Sequence, residues 1–178
     1  MPSEADSALR RDGKAHAMPE DSFFVLRPRG GGGVRVYLDN CCYNRPFDDQ
    51  KNLSTVLETF AKLSIQALMR KGAVEYVWSD TLCYEVDNNP FPKRYQSIIA
   101  WLDGATEYVE TMDDVLDRAK GFEALGIKKM DALHLASAEK ARCDWFFTTD
   151  KGILKKIGVS GVMRVANPVD FIIGREWQ

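Results

Sequence analysis

Five short β-rich runs alternate with helical stretches from Val34 to the end of the chain, and no other feature restricts the fold as much. Val34-Arg35-Val36-Tyr37-Leu38 and Val74-Glu75-Tyr76-Val77-Trp78 read as strands, as do Thr106 to Val109, the apolar run through Trp145-Phe146-Phe147 to Thr149, and Val162 to Val165. Between the first two, Leu53, Val56, Leu57, Phe60, Ser64, Ala67 and Leu68 recur at helical spacing, which predicts a core-facing stripe. That helix is expected to stop at Lys71-Gly72, a basic residue followed by a glycine. Ser79 is placed to cap the next helix, with Asp80 in its first turn and Glu85 one to two turns in. Asn88-Asn89-Pro90-Phe91-Pro92 breaks it. Further helices are expected over 93–103, after Thr111 as cap with Asp113 and Asp114 in the first turn, over 128–142 with Met130, Leu133 and Ala136 toward the core, and over 151–157. Asn40 to Gln50 reads as a polar loop, and Asn167-Pro168 opens a terminal helical turn. Strands alternating with helices predict an α/β fold, a three-layer α/β/α sandwich with a mostly parallel central sheet.

Residues 1–33 differ from this pattern. They mix charges, lack apolar periodicity and end in Gly30-Gly31-Gly32-Gly33, so they are expected to form a disordered tail with a Gly-rich linker, leaving 34–178 as the domain. The glycines match neither a P-loop nor GxGxxG, and a strand follows them rather than a helix. No apolar run approaches a membrane span and no secretory core is visible, which makes a cytoplasmic protein the expectation. Cys41, Cys42, Cys83 and Cys143 form no CxxC pair, so they read as reduced thiols filling core space. The net charge of −2 gives no global basic field, so a nucleic-acid partner would be held by local patches such as Lys128-Lys129, Lys155-Lys156, Arg45 and Lys93-Arg94.

The chemistry lies in the acids. Asp39 and Asp150 stand directly at the ends of predicted strands, and in open α/β sheets ligands bind in the crevice beyond those ends. Glu85 and Asp131 lie early in helices that start from the same edge. Four carboxylates from four segments can therefore meet. Like charges held that close repel and are pushed toward protonation, and a hard divalent cation relieves this. An all-oxygen ligand set favours Mg²⁺ or Mn²⁺ over zinc. Taken singly, an Asp after a strand is equally well a helix cap or a loop residue.

The wording around these acids is more specific than any one of them. Tyr37-Leu38-Asp39-Asn40, Lys129-Met130-Asp131-Ala132-Leu133-His134-Leu135-Ala136 and Phe147-Thr148-Thr149-Asp150 follow one another with Glu85 between the first two, and Asn167-Pro168-Val169-Asp170-Phe171 closes the chain. This order resembles the PIN-domain family, which includes the VapC-type ribonuclease toxins of toxin–antitoxin pairs. The resemblance spans Val34 to the C-terminus. It implies a PIN-like sandwich and a metal-dependent ribonuclease acting on RNA. It implies catalytic and metal-ligand roles for Asp39, Glu85, Asp131 and Asp150, with Thr148, Thr149 and Asn40 in support. It further implies an antitoxin partner and a homodimer. Many members carry another acid two residues after the last one, where this chain has Gly152. Asp80 and Asp87 compete with Glu85 for its role. His134 reads as a half-buried helix histidine or as a base or metal ligand, and Arg45, Lys128 and Lys129 are candidate RNA contacts. Trp78, Trp101 and Trp145 read as core.

Two other functions fit parts of the pattern. A HAD-type phosphatase also uses an Asp after the first strand, but needs an acid two residues later, where Cys41 stands. A PIN-like module that holds RNA or a protein without cutting is the alternative to the nuclease.

Overall fold

The computed structural model describes residues 33–157, 159–160 and 163–174, so the expectations for residues 1–32 and for Trp177 lie outside the described residues. Six strands form one sheet in the order β3-β2-β1-β4-β6-β5. β1 (Val34–Leu38), β2 (Val74–Ser79), β3 (Glu107–Val109), β4 (Trp145–Phe147) and β6 (Met163–Ala166) run parallel. β5 (Val159–Ser160) joins β6 antiparallel at one edge. The chain steps outward from β1 through β2 to β3, then returns to the other side of β1 with β4 and β6. Strand order thus reverses between β1 and β4, and a crevice opens beyond their C-terminal ends.

Helices cover both faces of the sheet. Successive residues of β1 point to opposite faces, which sorts the core into two clusters. Tyr37, Val77 and Phe146 pack with Val115, Ala119 and Phe122 of α5 (Asp113–Ala124) and Leu135 of α6 (Lys129–Lys140). Val36, Leu38, Trp78 and Phe147 pack with residues of four helices on the other face. These are Cys42 of α1 (Asn40–Asn44), Ile65 of α2 (Leu53–Arg70), Leu82 of α3 (Asp80–Asp87) and Ile98 of α4 (Pro92–Ile99). Phe171 of α8 (Pro168–Ile172) completes that layer, and α7 (Lys151–Lys156) follows β4. This is the α/β/α sandwich with a mostly parallel sheet that the sequence predicts. Trp78 and Trp145 are buried as expected, whereas Trp101 is half-buried under the Arg70 guanidinium.

Several local expectations are corrected. The predicted loop 40–50 begins as a helix, because Cys42 N reaches back to Asp39 O and Asn44 Nδ2 donates to Asn40 O and Oδ1. A 3-10 turn, Arg45–Phe47, follows with Pro46 early in it. Thr111 does not cap α5. Met112 occupies that position, and Thr111 N donates instead to Asp80 Oδ2 at 2.7 Å. The helix predicted over 93–103 ends at Ile99, and a separate 3-10 turn covers Leu102–Gly104.

The largest correction concerns α2. Its bounds are as expected, and Gly72 stops it with φ +67°. Its orientation is not. Leu53, Val56, Leu57 and Phe60 face outward, Leu53 at 71% and Phe60 at 65% exposure, while Thr55, Glu58, Lys62, Ile65, Gln66 and Met69 turn inward. Glu58 fixes this face. Its carboxylate takes Arg45 Nε at 2.6 Å and Asn167 Nδ2 at 2.8 Å, tying α2 to the turn after α1 and to the cap of α8. Periodicity finds an apolar stripe but not what covers it.

Candidate functional site

The seam between β1 and β4 holds the site. Asp39 N donates to Phe147 O at 2.9 Å, so the Asp39 side chain leaves the chain where the two central strands end. It is buried, with 5% of its surface exposed. Thr148 Oγ1 donates to Asp39 Oδ2 at 2.8 Å and accepts from Asp150 N at 3.0 Å. One hydroxyl thereby couples the acid after β1 to the acid after β4. Cys41 Sγ also donates to Asp39 Oδ2, at 3.2 Å, and accepts from Thr149 N at 3.3 Å. Cys41 is a free, half-buried thiol that packs against the core and also joins this cluster. Cys42 and Cys143 are buried as expected.

Asp150 begins α7. Its Oδ1 accepts from Gly152 N at 2.6 Å and Ile153 N at 3.1 Å, capping the helix. A Cβ on Gly152 would lie 2.9 Å from that oxygen. The missing further acid thus has a local reason: a side chain at 152 competes with the cap for the same space.

Glu85 and His134 reach the seam from α3 and α6. His134 is fully buried, not half-buried. Its Nε2 lies 2.8 Å from Glu85 Oε2 and 3.9 Å from Asp39 Oδ1. Its Nδ1 lies 2.7 Å from the Tyr37 hydroxyl, which is 2.7 Å from Ser79 Oγ. Ser79 Oγ accepts from Leu82 N as the cap of α3. One assignment uses every hydrogen: Ser79 donates to Tyr37, Tyr37 donates to Nδ1, and Nε2 donates to Glu85. His134 then orients the Glu85 carboxylate from beneath. Asp39, Glu85 and His134 each offer a ligand atom, all within 4.8 Å of one another. Asp80 is committed elsewhere, to Tyr108 Oη at 2.6 Å and to Thr111 N, and Asp87 is exposed, so Glu85 is the α3 acid at the cluster.

Asp131 stands half-buried in the first turn of α6. Burial pushes its carboxyl above the ordinary range, and the charges of Asp39 and Asp150 push it further, against a smaller pull from His134 and Lys128. Burial works to lower His134, but the Glu85 hydrogen bond and the charges of Asp39, Glu85 and Asp131 prevail and raise it above its ordinary value. Among the described residues, no Lys or Arg forms an ion pair with Asp39, Glu85, Asp131 or Asp150. His134 is the one basic side chain against these acids among the described residues, and the ligand atoms of Asp39, Glu85 and His134 fit a divalent cation.

The candidate RNA contacts differ in availability. The Arg45 guanidinium is spent on Glu58 and on Asp48 at 3.0 Å, and Arg94 donates to Phe47 O at 2.8 Å. Lys156 donates to Gly126 O. Lys128 and Lys129 are exposed at the start of α6 beside Asp131, with no ion-pair partner among the described residues. Asn40 lies in α1 and is bonded to Asn44, and Thr149 is buried. Sequence reasoning gave Tyr37, Ser79 and Cys41 no part in the site, although Ser79 caps α3 as expected. Strand alternation puts Tyr37 on the α6 face, but the relay through it appears only in three dimensions.

No family model matches the chain, and no curated protein matches it. Among solved structures, the chain is similar to one in the crystal structure of VapBC2 from Rickettsia felis bound to a DNA fragment from their promoter. The TM-score is 0.47 at 14% sequence identity, over 75% of this chain and 98% of that one. No helix among the described residues is long and apolar enough to cross a membrane.

Proposed function

We propose that the protein is a metal-dependent ribonuclease whose catalytic centre is Asp39, Glu85, Asp131 and Asp150, with Mg²⁺ or Mn²⁺ as the ion. The grouping of Asp39, Glu85 and His134 within 4.8 Å of one another at the β1–β4 crevice, with Asp131 and Asp150 on the helices that start there, supports the reading. Asp39 and Glu85, which with His134 offer ligand atoms within 4.8 Å of one another, would hold the ion, with Asp131 completing the set and Asp150 adding to the field through the oxygen its cap leaves free. When bound, a hard divalent cation there stabilises charge on phosphodiester oxygens and acidifies water. The chain's own residues hold the site in shape: Thr148 and Cys41 fix Asp39, and His134 fixes Glu85. Lys128 and Lys129 supply positive charge at the rim for the RNA backbone.

The sequence resemblance extends the proposal to a cytoplasmic toxin of a toxin–antitoxin pair, with a small antitoxin protein as partner and a homodimer as the assembly. It also supports residues 34–178 as the nuclease domain. The test is cleavage of single-stranded RNA with Mn²⁺, with Mg²⁺ and with chelator, comparing the native chain with Asp39→Asn and Asp131→Asn. Metal-dependent cleavage lost in both variants is the expected result. A native chain that cuts nothing with either ion, or variants that cut as well as it does, would put the non-cutting binding module in its place.

A further inference from the structure

The nuclease reading gives His134 a supporting part, and its position allows a larger one. Nε2 lies 2.8 Å from Glu85 Oε2 and 3.9 Å from Asp39 Oδ1. Two donors on one ion, each at about 2.1 Å, stand roughly 3.0 Å apart at a right angle and roughly 4.2 Å apart when opposite. Both separations sit close to that range, so an ion can seat among these atoms with small side-chain movements. Asp39 is pinned through Oδ2 by Thr148 and Cys41, while its Oδ1 accepts no hydrogen bond among the described residues. Glu85 is free to move: Nε2 is its one hydrogen-bond partner among the described residues, so its carboxylate can turn off the imidazole axis and stay within reach. The Asp39 side chain keeps 8% of its surface exposed and that of Glu85 28%, which opens the space to solvent. The far side of the ring is also suited to ligation. An imidazole that gives Nε2 to a metal carries its proton on Nδ1 and needs an acceptor there. Tyr37 Oη, 2.7 Å from Nδ1, accepts that hydrogen bond while donating to Ser79 Oγ at 2.7 Å. The relay then runs in the opposite sense, with one proton on the ring and no change of charge.

We propose that His134 Nε2 is itself a metal ligand beside Asp39 and Glu85, and that it makes the site select transition ions over Mg²⁺. This rests on the metal-dependent nuclease reading for the presence of an ion, and it changes the donor set. The all-oxygen set expected from the sequence gains a nitrogen. Imidazole favours the later transition ions, whereas Mg²⁺ keeps to oxygen ligands and sheds its water reluctantly. His134 is then a specificity-determining residue for the ion, and Tyr37 and Ser79 are the positioning residues behind it.

The chain has two histidines, His16 and His134, so one substitution leaves a single imidazole. In the full-length His16→Gln variant loaded with Mn²⁺, pulsed EPR is expected to show coupling to a histidine nitrogen, and ¹⁵N-labelled histidine is expected to change its frequencies. Neither readout needs RNA or turnover. Calorimetry is expected to place affinity in the order Mg²⁺, Mn²⁺, Co²⁺, with Co²⁺ at least roughly 100-fold tighter than Mg²⁺. His134→Gln is expected to lose the coupling and to narrow that ratio roughly tenfold. Should His134→Gln fail to fold by circular dichroism, the labelled His16→Gln chain decides the matter alone. Bound Mn²⁺ without histidine coupling, or Mg²⁺ bound as tightly as Co²⁺, overturns the proposal. RNA cleavage with Mn²⁺ and no nitrogen coupling sinks this proposal alone. Coupling in a chain that never cuts RNA sinks the nuclease reading and leaves the ligand standing. A chain that binds no Mn²⁺ sinks both.

Discussion

Replacing Tyr37 with phenylalanine deletes one oxygen and leaves the ring stacked on Phe146, with centroids 5.5 Å apart and planes 10° from parallel. That oxygen is shared. It lies 2.7 Å from both Ser79 Oγ and His134 Nδ1, and Tyr37, Ser79 and His134 are all buried. Water cannot replace it without a cavity, so two polar groups lose their partner together. Each orphan costs about 1–3 kcal/mol, which gives about 2–6 kcal/mol in all. For a domain of this size each kcal/mol lowers Tm by roughly 2–4 °C, so a fall of roughly 4–24 °C is expected. Urea unfolding followed by tryptophan fluorescence measures it, since Trp78 and Trp145 lie in the core. Mn²⁺ affinity by calorimetry is the second readout. Once Nδ1 is unheld, His134 no longer fixes Glu85, and roughly tenfold weaker binding follows. A loss below about 1 kcal/mol, with unchanged urea dependence, would show that the hydroxyl does not hold the relay together.

Three further outcomes are expected. Thr148→Val keeps the side-chain shape but strips Asp39 Oδ2 and Asp150 N of a shared partner; calorimetry should show Mn²⁺ binding roughly 10- to 100-fold weaker in a chain that still folds. Gly152→Ala should leave unfolding free energy nearly unchanged, because better helix propensity offsets a strained cap, yet weaken Mn²⁺ by turning Asp150 aside; unaltered Mn²⁺ affinity would refute the steric account. Burial lowers Lys62 to about 8, so the folded chain binds its proton less tightly than the unfolded one, and stability from this group rises as pH climbs from about 8 to 10.5. Lys62→Met should therefore stabilise at pH 7 by roughly 2–3 kcal/mol, an advantage that urea titrations should find nearly gone at pH 10.5.

The parallel sheet and the position of the acids were legible because both follow from local signals. A strand that ends on Asp, repeated at Asp39 and Asp150, needs no knowledge of neighbours. The face of α2 was not legible, because burying Glu58 depends on Arg45 and Asn167, 13 residues before it and 109 residues after it. His134 reads from sequence as half-buried, but its full burial goes with a partner on β1, Tyr37, 97 residues away. Gly152 stood out only as a missing acid until Asp150's cap supplied the reason. Local pattern shows where side chains of one element point together; pairing between distant elements decides which of them are buried and what they hold.

The seam between β1 and β4 also sets an order of events during synthesis. Asp39 is translated early, but Thr148 and Asp150, which complete its surroundings, follow more than a hundred residues later. At roughly 5–20 residues per second, the ribosome needs roughly 5–20 seconds to cross that interval. Once Ser79 is added, the growing chain carries β1 and β2 without the strand that must lie on the other side of β1. The surroundings of Asp39 therefore stay incomplete until β4 docks, and they are finished in one late step, with the closing of the sheet's centre.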